Sequence, residues 1–377
     1  MIGQPLRWID AVFIFSAANG IFIAVAMILF KKGGKLARYL ISALFTLHSI
    51  DMVYRFIYAS KSHILFPHLA FLDVAIPFAY GPLEYLYVKI FTQQDKSFKP
   101  EYFLHFIPFI FYLGVNLDFY LLPMEYKLDS LLHPGSPVGP DIHLIAHHVK
   151  ILHVALYQLL AIRLLNRYQR NIKTMYSSIE KINLQWMRRL LYTLLFIGIL
   201  HYVLILVFSL FSTDFYSGAL EIIHLLMAAV IFIFGYGALF QPEIFLECWK
   251  TAPRGKYRKS GLDSQMKQKY LDKLQAHMKI KQPFLDSELT LSKLAETLGI
   301  PANHLSQVIN EKLHMNFYEF INRYRLEAAK KLMVHEKPRT ILEIAFEVGF
   351  NSKSAFNSVF KKYLKKTPSG FRKTITR

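Results

Sequence analysis

A single cysteine, Cys248, stands in a chain of 377 residues. It excludes an intrachain disulfide and, by itself, any cysteine-based zinc site. Charge is scarce as well. Asp, Glu, Lys and Arg make up 19% of the residues against 53% hydrophobic and 15% aromatic, and mean hydropathy is +0.27. That is too apolar for an ordinary soluble protein. Acidic groups are the scarcest, 26 against 45 Lys and Arg, for a formal net charge of +19. There is no phosphate-binding loop, no nucleophile motif and no metal signature, so neither an enzyme nor a cofactor is expected. No cleavage site follows the first apolar segment, and a removed signal peptide is not expected either.

What is present divides into two halves. Residues 1–240 hold 19 Lys and Arg and 13 Asp and Glu, whereas 241–377 hold 26 and 13. The net charge is therefore +6 in an apolar half and +13 in a smaller polar half, and a basic tail suits a polyanion. The length allows two or three domains. The boundaries read as a membrane sensor domain at 1–240, a linker and connecting helix at 241–283, and a DNA-binding domain at 284–377.

Apolar stretches near 9–30, 36–58, 64–91, 101–122, 142–165, 187–211 and 217–240 are each long enough to cross a bilayer as helices. They predict a seven-helix transmembrane bundle. One set of connections carries Lys31, Lys32, Lys35, Lys96, Lys99, Arg163, Arg167, Arg170, Lys173, Lys181, Arg188 and Arg189, and the other only Arg7, Lys61 and Lys127. The positive-inside rule then places the N-terminus outside and the tail in the cytoplasm of a bacterial inner membrane. Seven spans require the same arrangement.

Ionisable residues inside spans are costly and often functional. His48, Asp51 and Arg55 share one helical face, where Asp51 and Arg55 can pair. Glu84, His201, Glu221 and His224 are further candidates for a signal or ion-pair site, the alternative being that such pairs only lock helix packing. His143, His147, His148 and His153 cluster near one span end. His143 and His147 are spaced to place two imidazoles on one metal ion, yet no carboxylate or cysteine completes a set. Gly81-Pro82 and Gly235-x-Gly237 read as sites of helix bending or close helix packing.

After Gln241-Pro242 the chain becomes polar. A helix from about Asp263 to Lys279 carries Met266, Tyr270, Leu274 and Met278 as a stripe, either a dimer seam or a face packed on the next domain. One pattern then occurs twice: Leu294-Ala295-x-x-Leu298-Gly299-Ile300 and Ile344-Ala345-x-x-Val348-Gly349-Phe350. A small Ala admits a close helix crossing and Gly supplies a positive φ at the turn, which is how a helix-turn-helix is written. The expected helices are 291–298 and 302–310, a longer connecting helix 317–334, then 341–348 and 353–363. Outward positions fall on Asn303, Ser306 and Gln307, and on Lys353, Ser354, Asn357 and Ser358, side chains able to read base edges. Lys361, Lys362, Lys365, Lys366, Arg372 and Lys373 suit phosphates.

The run Ile344-Ala345-Phe346-Glu347-Val348-Gly349-Phe350-Asn351-Ser352-Lys353-Ser354-x-Phe356, then Phe360-Lys361-Lys362 and Thr367-Pro368-Ser369-x-Phe371-Arg372, resembles the AraC/XylS family of bacterial transcription regulators. His304-Leu305-Ser306 and Tyr324-Arg325-Leu326 with Ala328 fit its first half. The resemblance runs from Leu289 to the C-terminus. It implies two recognition helices entering successive major-groove segments roughly 34 Å apart, with base contacts on the same seven outward positions. His314 and Lys365 stand where that family usually has Gly. The apolar half is similar to a less characterised group in which a seven-helix bundle precedes this domain, through Gly81-Pro82-Leu83-x-Tyr85-Leu86-Tyr87, Gly235-Tyr236-Gly237 and Gln241-Pro242-Glu243.

The expected protein is thus all-α, a membrane-embedded transcription regulator. Its partners would be double-stranded promoter DNA and the lipid bilayer, with an unidentified ligand, a second copy of the chain and RNA polymerase as further candidates. The alternatives are a bundle that only anchors the DNA-binding tail, or a transporter-like domain that carries it.

Overall fold

Every regular element among the described residues is helical, and the one antiparallel bridge joins Tyr176 to Thr290. The computed structural model describes residues 7–29, 34–60, 62–69, 71–93, 97–132, 143–208, 213–240, 262–334 and 339–375. Cys248 and the linker 241–261 lie outside them. The chain divides into two units, the first of residues 1–166 and 184–246, the second of residues 167–183 and 247–377.

The first unit contains α1 (Trp8–Leu29), α2 (Lys35–Ala59), α3 (Pro77–Thr92), α4 (Ile107–Val115), α5 (Leu117–Leu121), α6 (Met124–Leu132), most of α7 (His143–Lys173), α8 (Gln185–Phe208) and α9 (Thr213–Phe240). Among the described residues, four helical segments are long and apolar enough to cross a bilayer: Trp8–Leu29, Lys35–Ala59, His148–Lys173 and Gln185–Val207. A bent pair, Pro67–Val74 with Pro77–Thr92, would make a fifth.

Three of the seven expected spans are therefore not found as single spanning helices: 64–91 and 101–122 are broken, and 217–240 gives only the shorter apolar helix Glu221–Val230 among the described residues. The stretch 64–91 begins with short 3-10 turns and becomes α-helical only at Pro77. The stretch 101–122 is a 3-10 segment followed by two short helices. Proline marks most of the segment starts, although the break at Asn116 has none and Pro82 sits inside α3. Pro67, Pro77, Pro100 and Pro108 lack the N–H that a continuous helix needs, and each stands at or near the start of a new segment. Apolar run length does not register this.

The interior of this unit is mainly apolar, with Phe13, Phe45, Met52, Leu86 and Ile90 buried, and it also takes in Asp10, Ser42, His48, Asp51, Asp73, Glu84 and Gln158. Many large apolar side chains are exposed as well, among them Trp8, Phe15, Phe22, Leu29, Phe111, Phe196 and Ile233, more than an ordinary water-facing surface carries. Close packing appears at Gly81, as its sequence suggested. A Cβ there would stand 2.8 Å from the Tyr157 Cβ and 3.2 Å from the Val154 Cα.

The second unit has two small cores threaded by one helix. It contains α10 (Ser264–Lys281), α11 (Leu291–Leu298), α12 (Ala302–Leu313), α13 (Phe317–Val334), α14 (Ile341–Glu347), α15 (Lys353–Leu364) and α16 (Pro368–Ile375). The first core gathers Leu274 and Met278 of α10, Leu294 and Leu298 of α11, Leu305 and Ile309 of α12, and Phe317 and Ile321 of α13. The second gathers Leu326, Ala329 and Met333 from further along α13 with Ile344, Val348, Phe356 and Phe360. The stripe on α10 thus serves the first core. Leu271, Leu274 and Met278 are buried, whereas Met266 is 41% exposed. The terminal helix α16, not anticipated from periodicity, covers the second core through Phe371, whose ring lies 5.5 Å from that of Phe360.

Helix ends follow their capping residues. The Asp263 carboxylate accepts from the Met266 N–H at 2.6 Å, and the Thr290 hydroxyl accepts from Lys293 at 3.2 Å. Thr340 and Glu343 close a reciprocal capping box at the start of α14, and Ser352 Oγ accepts from Ala355 at 3.1 Å. Each such contact satisfies one of the free N–H groups of a helix's first turn.

Candidate nucleic-acid interface and the cavity of the apolar half

Each helix-turn-helix is held by its turn glycine. Gly299 has φ +59° and Gly349 φ +92°, left-handed values that cost a side chain free energy. Gly349 is constrained twice, because a Cβ there would lie 2.6 Å from the Phe284 carbonyl oxygen. Its turn therefore seats directly on the 3-10 turn Pro283–Leu285 that precedes the first helix pair. His314 and Lys365 end α12 and α15 with φ of 52° and 57°. These positions do need the left-handed backbone that Gly would supply without strain.

On α12, Asn303 is exposed and Ser306 half-buried. Gln307 is only 8% exposed, and its Nε2 donates to Glu311 Oε1 at 2.8 Å. Reading a base with Gln307 would require it to leave Glu311, which also pairs with Lys267 at 2.9 Å. On α15, Lys353, Ser354 and Ser358 are exposed and Asn357 half-buried, while Phe356 and Phe360 point into the core. Lys361, Lys365, Lys366 and Lys373 are exposed and Arg372 is half-buried. Lys362 lies 3.4 Å from Glu319. The arrangement offers two helices with polar outward faces, and a basic apron beside the second.

Sequence patterning did not identify Arg325, which is fully buried in α13. Its Nε donates to the Phe284 carbonyl at 2.8 Å and its Nη2 to the Asp286 carbonyl at 2.8 Å. Nη1 donates to the Ser177 carbonyl at 3.1 Å, and Nη2 also to Ser177 Oγ at 3.1 Å. Its guanidinium carbon stands 5.6 Å from the centre of the Phe350 ring. Burial pulls this guanidinium down to about 10, still charged at neutral pH.

The Ser177 segment, which joins α7 to α8, is built into the same unit. Ser177 N–H donates to the Leu289 carbonyl at 3.2 Å, and the Leu291 N–H donates to the Met175 carbonyl at 2.9 Å. Leu291 is the first residue of α11, so the segment satisfies a helix-terminal donor that would otherwise need water.

The apolar half holds a cavity of about 160 Å³ with charged side chains set in a mainly apolar lining. It is lined by five of the seven ionisable candidates, His48, Asp51, Arg55, His201 and His224, joined by Asp73, Tyr80 and Lys150. The expected Asp51–Arg55 pair forms at 3.3 Å, but Arg55 binds Asp73 more closely, at 2.6 Å. His48 stacks on Tyr80 with ring centres 4.1 Å apart. Glu84 lies beside a smaller neighbouring cavity and accepts from Gln158 Nε2 at 3.1 Å. Glu221 is elsewhere, paired with Arg7 at 2.8 Å.

Asp73 and Lys150 were legible in the same way as the others, as charged residues inside apolar stretches. The side chains of His143 and His147 lie outside the described residues. Among those described, no group of three His, Cys, Asp or Glu gathers at metal spacing.

Residues 294–374 match the family model of a helix-turn-helix domain. The chain is 36% identical over 85 residues to an uncharacterised HTH-type transcriptional regulator of Staphylococcus aureus (strain COL), covering 22% of this chain and 11% of that protein. It is 32% identical over 90 residues to the Msm operon regulatory protein of Streptococcus mutans, covering 24% of this chain and 32% of that one. The chain thus spans between about a tenth and a third of these relatives' lengths. No solved structure matches it. The match coincides with the paired helices and the two left-handed glycines, and residues 294–374 are a helix-turn-helix domain.

Proposed function

We propose that this chain is a membrane-embedded, sequence-specific DNA-binding transcription regulator, in which the apolar half governs the DNA-binding domain. The observation that carries the reading is the pair of capped helix-turn-helix units on one shared helix, α13, with Asn303 and Ser306 facing outward on α12 and Lys353, Ser354, Asn357 and Ser358 on α15. Polar side chains on a groove-sized helix read bases, and the flanking lysines supply the salt-dependent phosphate term.

Membrane embedding is supported by four apolar helices of spanning length, a fifth as a bent pair, and the many large apolar side chains exposed on the surface of that unit. The remaining two of the seven spans, and the orientation with the tail in the cytoplasm, rest on the apolar stretches and loop charges of the sequence. Two covalent routes would carry a signal to the tail. One is the linker at 241–261. The other is the segment around Ser177, flanked by α7 and α8 and hydrogen-bonded into the DNA-binding unit. A signal acts through either route only if it binds two arrangements of the bundle unequally.

The test is site selection from random duplexes by the full chain in lipid nanodiscs at physiological salt. The reading expects enrichment of a site with two motifs about one helical turn apart. Binding that depends steeply on salt but enriches no sequence would overturn it. The charged cavity favours a transporter-like second reading, which solute flux through the chain in sealed vesicles would reveal.

A further inference from the structure

The cavity of the apolar half has an unmet polar group on each of two walls. On one, the Asp73 side chain is 8% exposed. Its Oδ2 binds Arg55, while its Oδ1 is buried with no hydrogen-bond partner. On the other, Lys150 of α7 lines the cavity and makes no hydrogen bond or ion pair among the described residues. The rest of the lining is largely apolar, including Met52, Val154, Ile197 and Met227.

We infer that this cavity binds a small zwitterion with an apolar side group, of the amino-acid class, its ammonium on Asp73 Oδ1 and its carboxylate on Lys150. This deepens the reading of the apolar half as a sensor and rests on it. Charge balance selects the class. The cavity's own fixed charges, Asp51 and Asp73 against Arg55 and Lys150, cancel with the histidines neutral. A zwitterion keeps that balance, whereas an anion or a cation alone adds an uncompensated charge to a site with a mainly apolar lining. A ligand bearing both groups also satisfies both unmet side chains, which an apolar ligand would leave bare. Water fills such a space at lower specificity, and at about 30 Å³ each the cavity has room for roughly five molecules.

The experiment is isothermal titration of the full chain in nanodiscs with L-leucine, L-methionine and L-phenylalanine. Two half-molecules of leucine, 3-methylbutylamine and 4-methylpentanoate, serve as probes of each charge. The expected result is saturable binding of at least one amino acid, with its matched half-molecules weaker by on the order of tenfold or more. Lys150→Met and Asp73→Asn should each weaken binding by on the order of tenfold, with helical circular dichroism unchanged. Glu221→Gln, outside the cavity, should leave it intact. The inference is overturned by the absence of saturable binding for all three amino acids, by a half-molecule that binds as well as the whole, or by affinity unchanged in both cavity variants. The wild-type comparison of whole and half ligands stands even if a variant fails to fold. A gel shift on the same preparation separates the two levels. Specific DNA binding without amino-acid binding removes this inference alone, whereas amino-acid binding without specific DNA binding removes the regulator reading alone.

Discussion

The Arg325 guanidinium donates to the Ser177 carbonyl at 3.1 Å across 148 residues of sequence. It brings together α13, the turn at Phe284–Asp286 and the connection between α7 and α8, with carbonyl and hydroxyl oxygens as its acceptors. A buried cation satisfied by carbonyls and hydroxyls holds each acceptor in place, because losing the donor strands several buried oxygens at once.

Replacing Arg325 with leucine is therefore expected to destabilise the DNA-binding unit by about 1–3 kcal/mol for each buried acceptor left without a partner. Urea denaturation followed by circular dichroism reads this directly. A loss below about 1 kcal/mol would mean that water replaces the guanidinium.

The fragment 262–377 lacks the Ser177 segment, leaving Arg325 short of three acceptors, the Ser177 carbonyl, Ser177 Oγ and Ser178 Oγ, and the Leu291 N–H without Met175. A peptide of residues 171–184 added in trans should raise its melting temperature. The same peptide with Ser177→Pro should not, because proline has no N–H to donate to the Leu289 carbonyl. Equal stabilisation by both peptides would show that the contact is nonspecific.

His314 and Lys365 hold left-handed backbone at the ends of α12 and α15. His314→Gly and Lys365→Gly should each stabilise the unit by about 1 kcal/mol, less the entropy that glycine adds to the unfolded chain. Chemical denaturation of the two single variants and the double variant measures both gains, and additivity is expected because the two positions end helices that pack into different cores.

Base and phosphate contacts separate by their salt dependence. Asn357→Ala should cost about 1–3 kcal/mol and relax preference at one position of the selected site. Lys366→Ala should weaken all sites alike and flatten the slope of log affinity against log salt by about 0.9. If Asn357→Ala instead behaves like the lysine variant, α15 is not the reading helix.

Acid should act on α14 through its capping box. Glu343 accepts from the Thr340 N–H at 2.7 Å, and this backbone hydrogen bond, followed by that of the Thr340 side chain, holds its carboxyl below the ordinary 4.5. Its contribution is complete above the unfolded value and lost as pH falls through the lower folded one. Glu343→Gln should accordingly lower the melting temperature at pH 7 and change it little at pH 3. An equal effect at both pH values would show that the carboxylate's charge is irrelevant to the cap.

The helices of the DNA-binding domain were legible because their signals are local. A repeated apolar-Ala pattern, turn glycines and polar caps act within four residues, and the expected bounds of α11, α13 and the start of α15 agree with the structure. The spans of the apolar half were legible only in part, because run length does not register where the backbone breaks within 64–91 and 101–122. Sequence alone determined that Asp51 and Arg55 share a face, since helical spacing decides that. Only the tertiary structure decided that Asp73 is the closer partner of Arg55, that Glu221 lies apart from the cavity, that Gln307 is turned toward Glu311, and that Arg325 is the buried link to Ser177. The physical reason is common to all four. A hydrogen bond between segments far apart in the chain depends on how helices pack, and packing is settled by the summed burial of many side chains rather than by any short pattern.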